Sequence, residues 1–188
     1  MLLTVFMSVL VGCNKKEEPQ LEKAQLENTQ VVLEAGKEIT EGDFIYRLVT
    51  EKIEYVENGP VKIYAELEYI GDKGEVEIFH AASPFYFPMV EKTRDIQIDY
   101  SMNQPLVSTT LIKGVPLREH YAANGGYNSE DAEEYISFMK RIMKSEFPVG
   151  DYVVNGAADF FVITNEDTRE KREYNIIDQI EFKVNHKR

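Results

Sequence analysis

From Asp43 onward the apolar positions of this chain recur at every second residue. Val61, Ile63, Ala65, Leu67 and Tyr69 alternate with Lys62, Tyr64, Glu66 and Glu68, the pattern of a strand with one face in a core and one in water. Ile96, Ile98 and Tyr100 repeat it around Gln97 and Asp99, and Ile176, Ile180, Phe182 and Val184 share one parity that Asp178 interrupts. Phe44–Val56, Glu75–His80, Leu106–Lys113 and Tyr152–Ile163 are further strand candidates. In the first of these the apolar parity switches near Thr50, which predicts a bulge or bend. Glu57-Asn58-Gly59-Pro60 and Gly71-Asp72-Lys73-Gly74 carry the residues that tolerate positive φ or preset a turn. Seven or eight short strands of this kind predict an all-β antiparallel sandwich over 43–188. One helix interrupts them at about 129–145. Ala132, Tyr135, Ile136, Met139, Ile142 and Met143 lie on one face, with acidic residues in the first turns and basic ones in the last.

The residues before Asp43 follow a different pattern. Leu2–Val11 is an uncharged run, too short to cross a bilayer as a helix but suited to the apolar region of a signal peptide. It ends in Leu10-Val11-Gly12-Cys13, which resembles the lipobox of bacterial lipoproteins. That resemblance implies a signal peptide over 1–12, cleavage before Cys13, and a diacylglyceryl group on the Cys13 thiol. Met1-Leu2-Leu3 lacks the basic residues that usually open such a segment, as a start assigned too far downstream would explain. Residues 14–42 are polar and rich in Gln and Glu, with only scattered Leu and Val, so they cannot bury enough apolar surface to offset their ordering entropy. They read as a tether, spanning roughly 30 Å as a flexible coil. Within it Leu21–Leu26 has the makings of a helical turn and Val31–Leu33 of a short strand.

Charge and composition narrow the function classes. With 33 acidic against 21 basic residues the chain carries a formal charge of −12, the wrong sign for a nucleic-acid partner or for electrostatic docking on anionic lipid. A single Cys excludes an internal disulfide framework and any multi-thiolate metal site. The lipobox resemblance implies the extracytoplasmic face of a cell membrane as the location, reached through a lipid anchor. A protein or a cell-wall ligand is the expected partner.

Phe147-Pro148-Val149-Gly150-Asp151-Tyr152-Val153-Val154-Asn155-Gly156 resembles a stretch of small extracytoplasmic immunoglobulin-like modules, in which a Pro–Gly turn leads into a Tyr-bearing strand. Taken whole, the chain is similar to Bacillus-type lipoproteins with one such domain, which implies a Gram-positive source. It is more distantly similar to the Bacillus intracellular proteinase inhibitor fold. The resemblance implies an immunoglobulin-like sandwich and an envelope location, and carries over no activity.

No catalytic constellation emerges from the sequence, and no cofactor is expected. The three histidines, His80, His120 and His186, form no near pair. His80 shares parity with Val76 and Ile78 and is expected at the core's edge with a backbone partner, and His186 in solvent. Asn165–Glu170 superficially follows a calcium loop but lacks the central glycine, so a solvated turn is expected. The acidic residues at 130–134 are accounted for by the helix N-terminus. The Ser83–Val90 window, with three aromatic rings between prolines, either plugs one end of the sandwich or forms an exposed patch. It is also the one apolar candidate for an inhibitory loop. The connection over 114–128 is long for a compact domain, and connections of that length are often functional. Arg118, His120, Tyr121 and Tyr127 in it are the expected binding residues, with Gly125-Gly126 turning the backbone so that the tyrosines project. The expected function is a non-catalytic binding or structural module. A proteinase inhibitor and an enzyme with dispersed carboxylates are the alternatives.

Overall fold

A computed structural model describes residues 36–187. The signal peptide, Leu10, Val11, Gly12, Cys13 and the short elements expected at 21–26 and 31–33 lie outside the described residues.

The longest ladder is a hairpin of β11 (Gly150–Asn165) and β12 (Glu170–Asn185), paired in unbroken antiparallel register from Gly150↔Val184 to Ile163↔Lys171. Its turn is the predicted solvated one: Asn165 Oδ1 accepts from the amides of Asp167 (3.0 Å) and Thr168 (3.1 Å), and Arg169 takes φ +53°. Inward residues alternate along both strands. Tyr152 stacks on Phe182 directly opposite (5.0 Å between ring centres) and Phe160 on Tyr174 (5.0 Å), so each end of the hairpin carries an aromatic cross-strand pair.

Other strands build outward from this hairpin. β5 (Glu75–His80), β6 (Phe85–Tyr86) and β7 (Met89–Glu91) pair successively along β11, β9 (Val107–Ile112) extends β5, and β8 (Ile96–Ile98) extends β7. β3 (Glu54–Val56) joins β12 in parallel. A second sheet has the order β1 (Glu38–Glu41), β2 (Phe44–Thr50), β4 (Ile63–Tyr69), β10 (Leu117–His120). Phe44, Tyr46 and Leu48 on β2 and Ile63, Ala65, Leu67 and Tyr69 on β4 are buried in the same core as Val154, Ala158, Phe160, Ile176 and Ile180 of the hairpin. The domain is an all-β sandwich with one helix.

The strand count is twelve among the described residues, not seven or eight, for identifiable reasons. The parity switch near Thr50 is not a bulge within one strand: β2 ends there, and β3 begins at Glu54 in the other sheet. The Ser83–Val90 window supplies β6 and, with Glu91, β7, with Phe85, Phe87 and Met89 buried, whereas β8 is the strand expected around Ile96 and Ile98. β1 takes in residues 38–41, which composition assigns to the tether. Gly42 makes this possible, because its φ of +57° opens a two-residue turn that a side chain would strain. β10 falls inside the expected connection over 114–128, its single apolar Leu117 too little to show as a strand.

The helix α1 spans Glu133–Ile142, shorter than 129–145 at both ends. Its buried stripe is Phe138, Met139 and Ile142 with Tyr135 at its margin, so Phe138 belongs to the core and Met143 is exposed. Met143 lies beyond the last full turn, where the chain reverses through Ser145 at φ +61°.

Where the helix hands over to β11, a buried carboxylate joins two turns. Glu91 is fully buried, and its oxygens accept from the amides of Thr93 (2.8 Å) and Arg94 (3.0 Å) and from Arg94 Nη1 (3.0 Å). The same Nη1 reaches the Val149 carbonyl (3.0 Å), and Gly150 leaves the space that the carboxylate fills. Desolvation alone would raise the Glu91 pKa, but the hydrogen bonds from Thr93 and Arg94 outweigh it and hold the carboxyl below its ordinary 4.5. A folded-state pKa below the unfolded one adds stability above about 4.5, and that stability is lost as pH falls through the folded value. Glu91→Gln is therefore expected to unfold at lower urea than the wild type near neutral pH. The gap should narrow as the pH is lowered below about 4, because the wild type then protonates the same group. Gly150→Ala, which drives a methyl into that carboxylate, is expected to cost about 2 kcal/mol in the same measurement.

Candidate functional site

The outward residues of the smaller sheet form a charged row across all four strands. Glu38, Arg47, Glu66 and Arg118 stand opposite one another in register on β1, β2, β4 and β10. Arg47 bonds Glu38 (Nε, 2.9 Å) and Glu68 (2.8 Å) and lies 3.7 Å from Glu66. Arg118 closes the row, with Nε donating to Glu66 Oε1 at 2.7 Å, Nη2 donating to the same oxygen, and the guanidinium 4.3 Å over the Tyr64 ring. Two arginines thus roof an outward carboxylate, and Glu66 is buried on a face that alternation assigns to water.

This network decides where the four expected binding residues stand. Arg118 and His120 are exposed on β10, but Arg118 is engaged with Glu66 and Tyr64, and the His120 ring packs 5.6 Å from that of Tyr64. Tyr121 turns into an aromatic cluster with Phe87, Tyr100 and Phe147 at 6.0, 6.1 and 6.0 Å. Burial there pushes its hydroxyl up to about 12. Tyr127 is exposed beyond the next turn, with Lys140 Nζ 5.5 Å above its ring. It lines a shallow cavity of about 520 Å³ with Asp99, Asp131 and Tyr135, from which the other three are absent. The connection is pinned: Asn124 is bonded to both backbone groups of Ser101 (2.6 and 3.2 Å), and Gly125, at φ +124°, lies against the Met139 methyl. Arg118 and His120 thus share one face, while Tyr121 and Tyr127 are each in separate surroundings.

His80 is at the core's edge. Its Nδ1 donates to the Ala81 carbonyl (2.8 Å), and its Nε2 is hydrogen-bonded to Thr109 Oγ1 (2.9 Å). His186 is exposed.

A more open site lies on the outer face of the larger sheet. Ser108, Phe79, Phe161 and Glu173 stand in one row on β9, β5, β11 and β12. The two Phe rings stack at 5.1 Å and 12°, and Lys171 Nζ sits 4.1 Å over Phe161. Tyr86, Leu106, Asp159 and Asn175 complete a groove of about 510 Å³, with Gln104 donating to the Tyr86 hydroxyl (3.3 Å). Its aromatic floor supplies stacking and cation–π surface, and its rim supplies carboxylates and amides, groups that can hold a ligand. Sequence reasoning passed over it, although a signal was present. Phe160 and Phe161 are adjacent in a strand, so one must face outward, and the inward parity of Val76, Ile78 and His80 leaves Phe79 outward as well.

Compared with protein-family models, with curated proteins and with solved structures, the chain matches none.

The charged row makes a stability experiment decisive about Arg118. Glu66→Ala takes the carboxylate from Arg118 while Arg47 keeps Glu38 and Glu68, and is expected to cost about 2 kcal/mol in chemical unfolding. Arg118→Ala removes a half-exposed partner while Arg47 still faces Glu66, and is expected to cost about 1 kcal/mol.

Proposed function

We propose that the chain is a lipid-anchored extracytoplasmic lipoprotein of a Gram-positive envelope, acylated at Cys13, whose sandwich is a non-catalytic binding module. The anchor rests on Leu10-Val11-Gly12-Cys13 closing an uncharged run, followed by a polar stretch and then by a domain without a further cysteine. The observation that carries the binding half is the groove over Phe79 and Phe161: its floor is carried on paired strands instead of loops, so it is in place before a ligand arrives. The Ser83–Val90 window contributes Phe85, Phe87 and Met89 to the core and pairs with β11, which supports a binding module over an inhibitor built on that window.

Detergent phase partitioning of cells producing the wild type and Cys13→Ala tests the anchor. The wild type is expected in the detergent phase and the variant in the aqueous phase. Recovery of both in the aqueous phase overturns the proposal.

A further inference from the structure

Among the described residues, five of the six sheet edges carry the usual protection against pairing with another chain, being short, charged or both, and the two-residue β6 is the shortest of them. β1 has four residues and carries Glu38 and Glu41, β10 has four and carries Arg118 and Glu119, β3 has three and carries Glu54, and β8 has three. β9 is the exception. Its six residues, Val-Ser-Thr-Thr-Leu-Ile, contain no charge and no proline, and its register with β5 is unbroken. It is flanked by exposed apolar side chains, Leu106 (69% exposed), Ile112 (57%) and Val115 (55%).

The hydrogen-bond phase shows which backbone groups this edge offers. The Lys113 amide donates to the Gly74 carbonyl (2.9 Å), immediately beyond the Glu75↔Ile112 pair. Alternation along an antiparallel ladder then directs the N–H and C=O groups of Val107, Thr109 and Leu111 toward β5, and those of Ser108 and Thr110 and the Ile112 amide away from it, while the Ile112 carbonyl accepts from the Val115 amide (3.0 Å). The Gly114 amide, in the outward phase, turns to the Tyr69 carbonyl, as that alternation requires.

The outer face beside this edge selects the occupant. Ser108 and Thr110 are small, and behind them on β5 stand Phe79 and Glu77, directly opposite each. An added strand would lie about 4.8 Å beyond β9, a distance from which a Lys or Arg side chain spans the low ground over Ser108 and Thr110. Its cation would meet Glu77 or Glu75, or the stacked rings that already take the Lys171 ammonium. Glu75, Glu77, Asp159 and Glu173 have no ion pair among the described residues. A second copy of the chain would bring another −12 to the same face.

We propose that β9 is a strand-addition edge that takes an extended segment of a partner protein with Lys or Arg at alternate positions. This deepens the binding-module proposal and rests on it. The backbone of the segment would pair with Ser108, Thr110 and the Ile112 amide, and its basic side chains would cross to Glu77 and the Phe79–Phe161 pair.

The test uses the full-length chain and a short capped peptide of alternating Thr and Lys, with binding followed by calorimetry at low and at physiological salt. Binding is expected, and it should weaken as salt rises. It should fall about tenfold or more when alternate peptide amides are N-methylated, when Glu replaces Lys in the peptide, and in Thr110→Pro, which removes an outward N–H and no ladder bond. Glu77→Lys with Glu173→Lys should weaken it similarly. Absence of binding overturns the proposal. So does equal binding of the N-methylated peptide, which would reduce the attraction to charge alone. A sedimenting dimer that Thr110→Pro dissociates overturns it in favour of a second copy. If Thr110→Pro fails to fold, the N-methylated peptide against the wild type decides alone. Failure of the peptide leaves the anchor untouched, since partitioning of Cys13→Ala is scored separately.

Discussion

The β11–β12 ladder is the constraint on which the rest of this molecule depends. Two sixteen-residue strands joined by a tight turn form a local structure with little loop to close, and they present one continuous inward stripe from Val184 to Phe160. β3, β5, β6 and β7 all find their backbone partners along this hairpin, and the second sheet packs on its inner face. The layers approach closely at Gly156. A Cβ there would lie 2.6 Å from Leu48 Cδ1 and 2.8 Å from the Tyr46 hydroxyl, so only glycine lets β2 settle against β11. That fit leaves one polar atom unsatisfied: the buried Tyr46 hydroxyl has no hydrogen-bond partner among the described residues, and burial together with the nearby Asp178 charge raises its pKa.

The two outer faces solve the same problem in different ways. Both present charge to water, as a chain this acidic must. On the smaller sheet the charges are arranged in opposite-sign register across four strands, so they neutralise one another and hold β1 and β10 in place. On the larger sheet the row from Ser108 to Glu173 is aromatic at its centre, and Glu77, Asp159 and Glu173 on that face have no ion pair among the described residues. A face whose charges are already paired has little to offer a partner, whereas one with spare carboxylates beside stacked rings and an uncharged edge strand has both charge and backbone to give. The site therefore follows from where the arginines are spent.

Much of this was legible in the sequence because period-two alternation is a local signal. The alternations around Ile63–Tyr69 and Ile176–Val184 mark strands with the correct inward face, and Asn165–Glu170 is a turn because its residues favour one. The helix was legible in kind, but its face was misjudged by one row. Positions 135, 138, 139 and 142 fit a helical stripe as well as the apolar set that includes Met143, and only the sheet beneath determines which of the two is covered.

What the sequence determined by itself is everything that depends on neighbours along the chain: the β class, the turns, the helix, the acidic charge, and the apolar run ending at Cys13. What only the tertiary structure decided depends on partners far away in sequence. Arg118 is in the chain section singled out for binding, yet it is held by Glu66, fifty-two residues earlier. Phe79 and Phe161 are eighty-two positions apart and become one surface only because β5 pairs with β11 (161 − 79 = 82). β9 is an edge because no strand among the described residues is hydrogen-bonded on its other side, a fact about sheet order. Alternation tells a residue which face it takes; it carries no information about which strand will lie beside it, and that pairing is what distinguishes scaffold from surface.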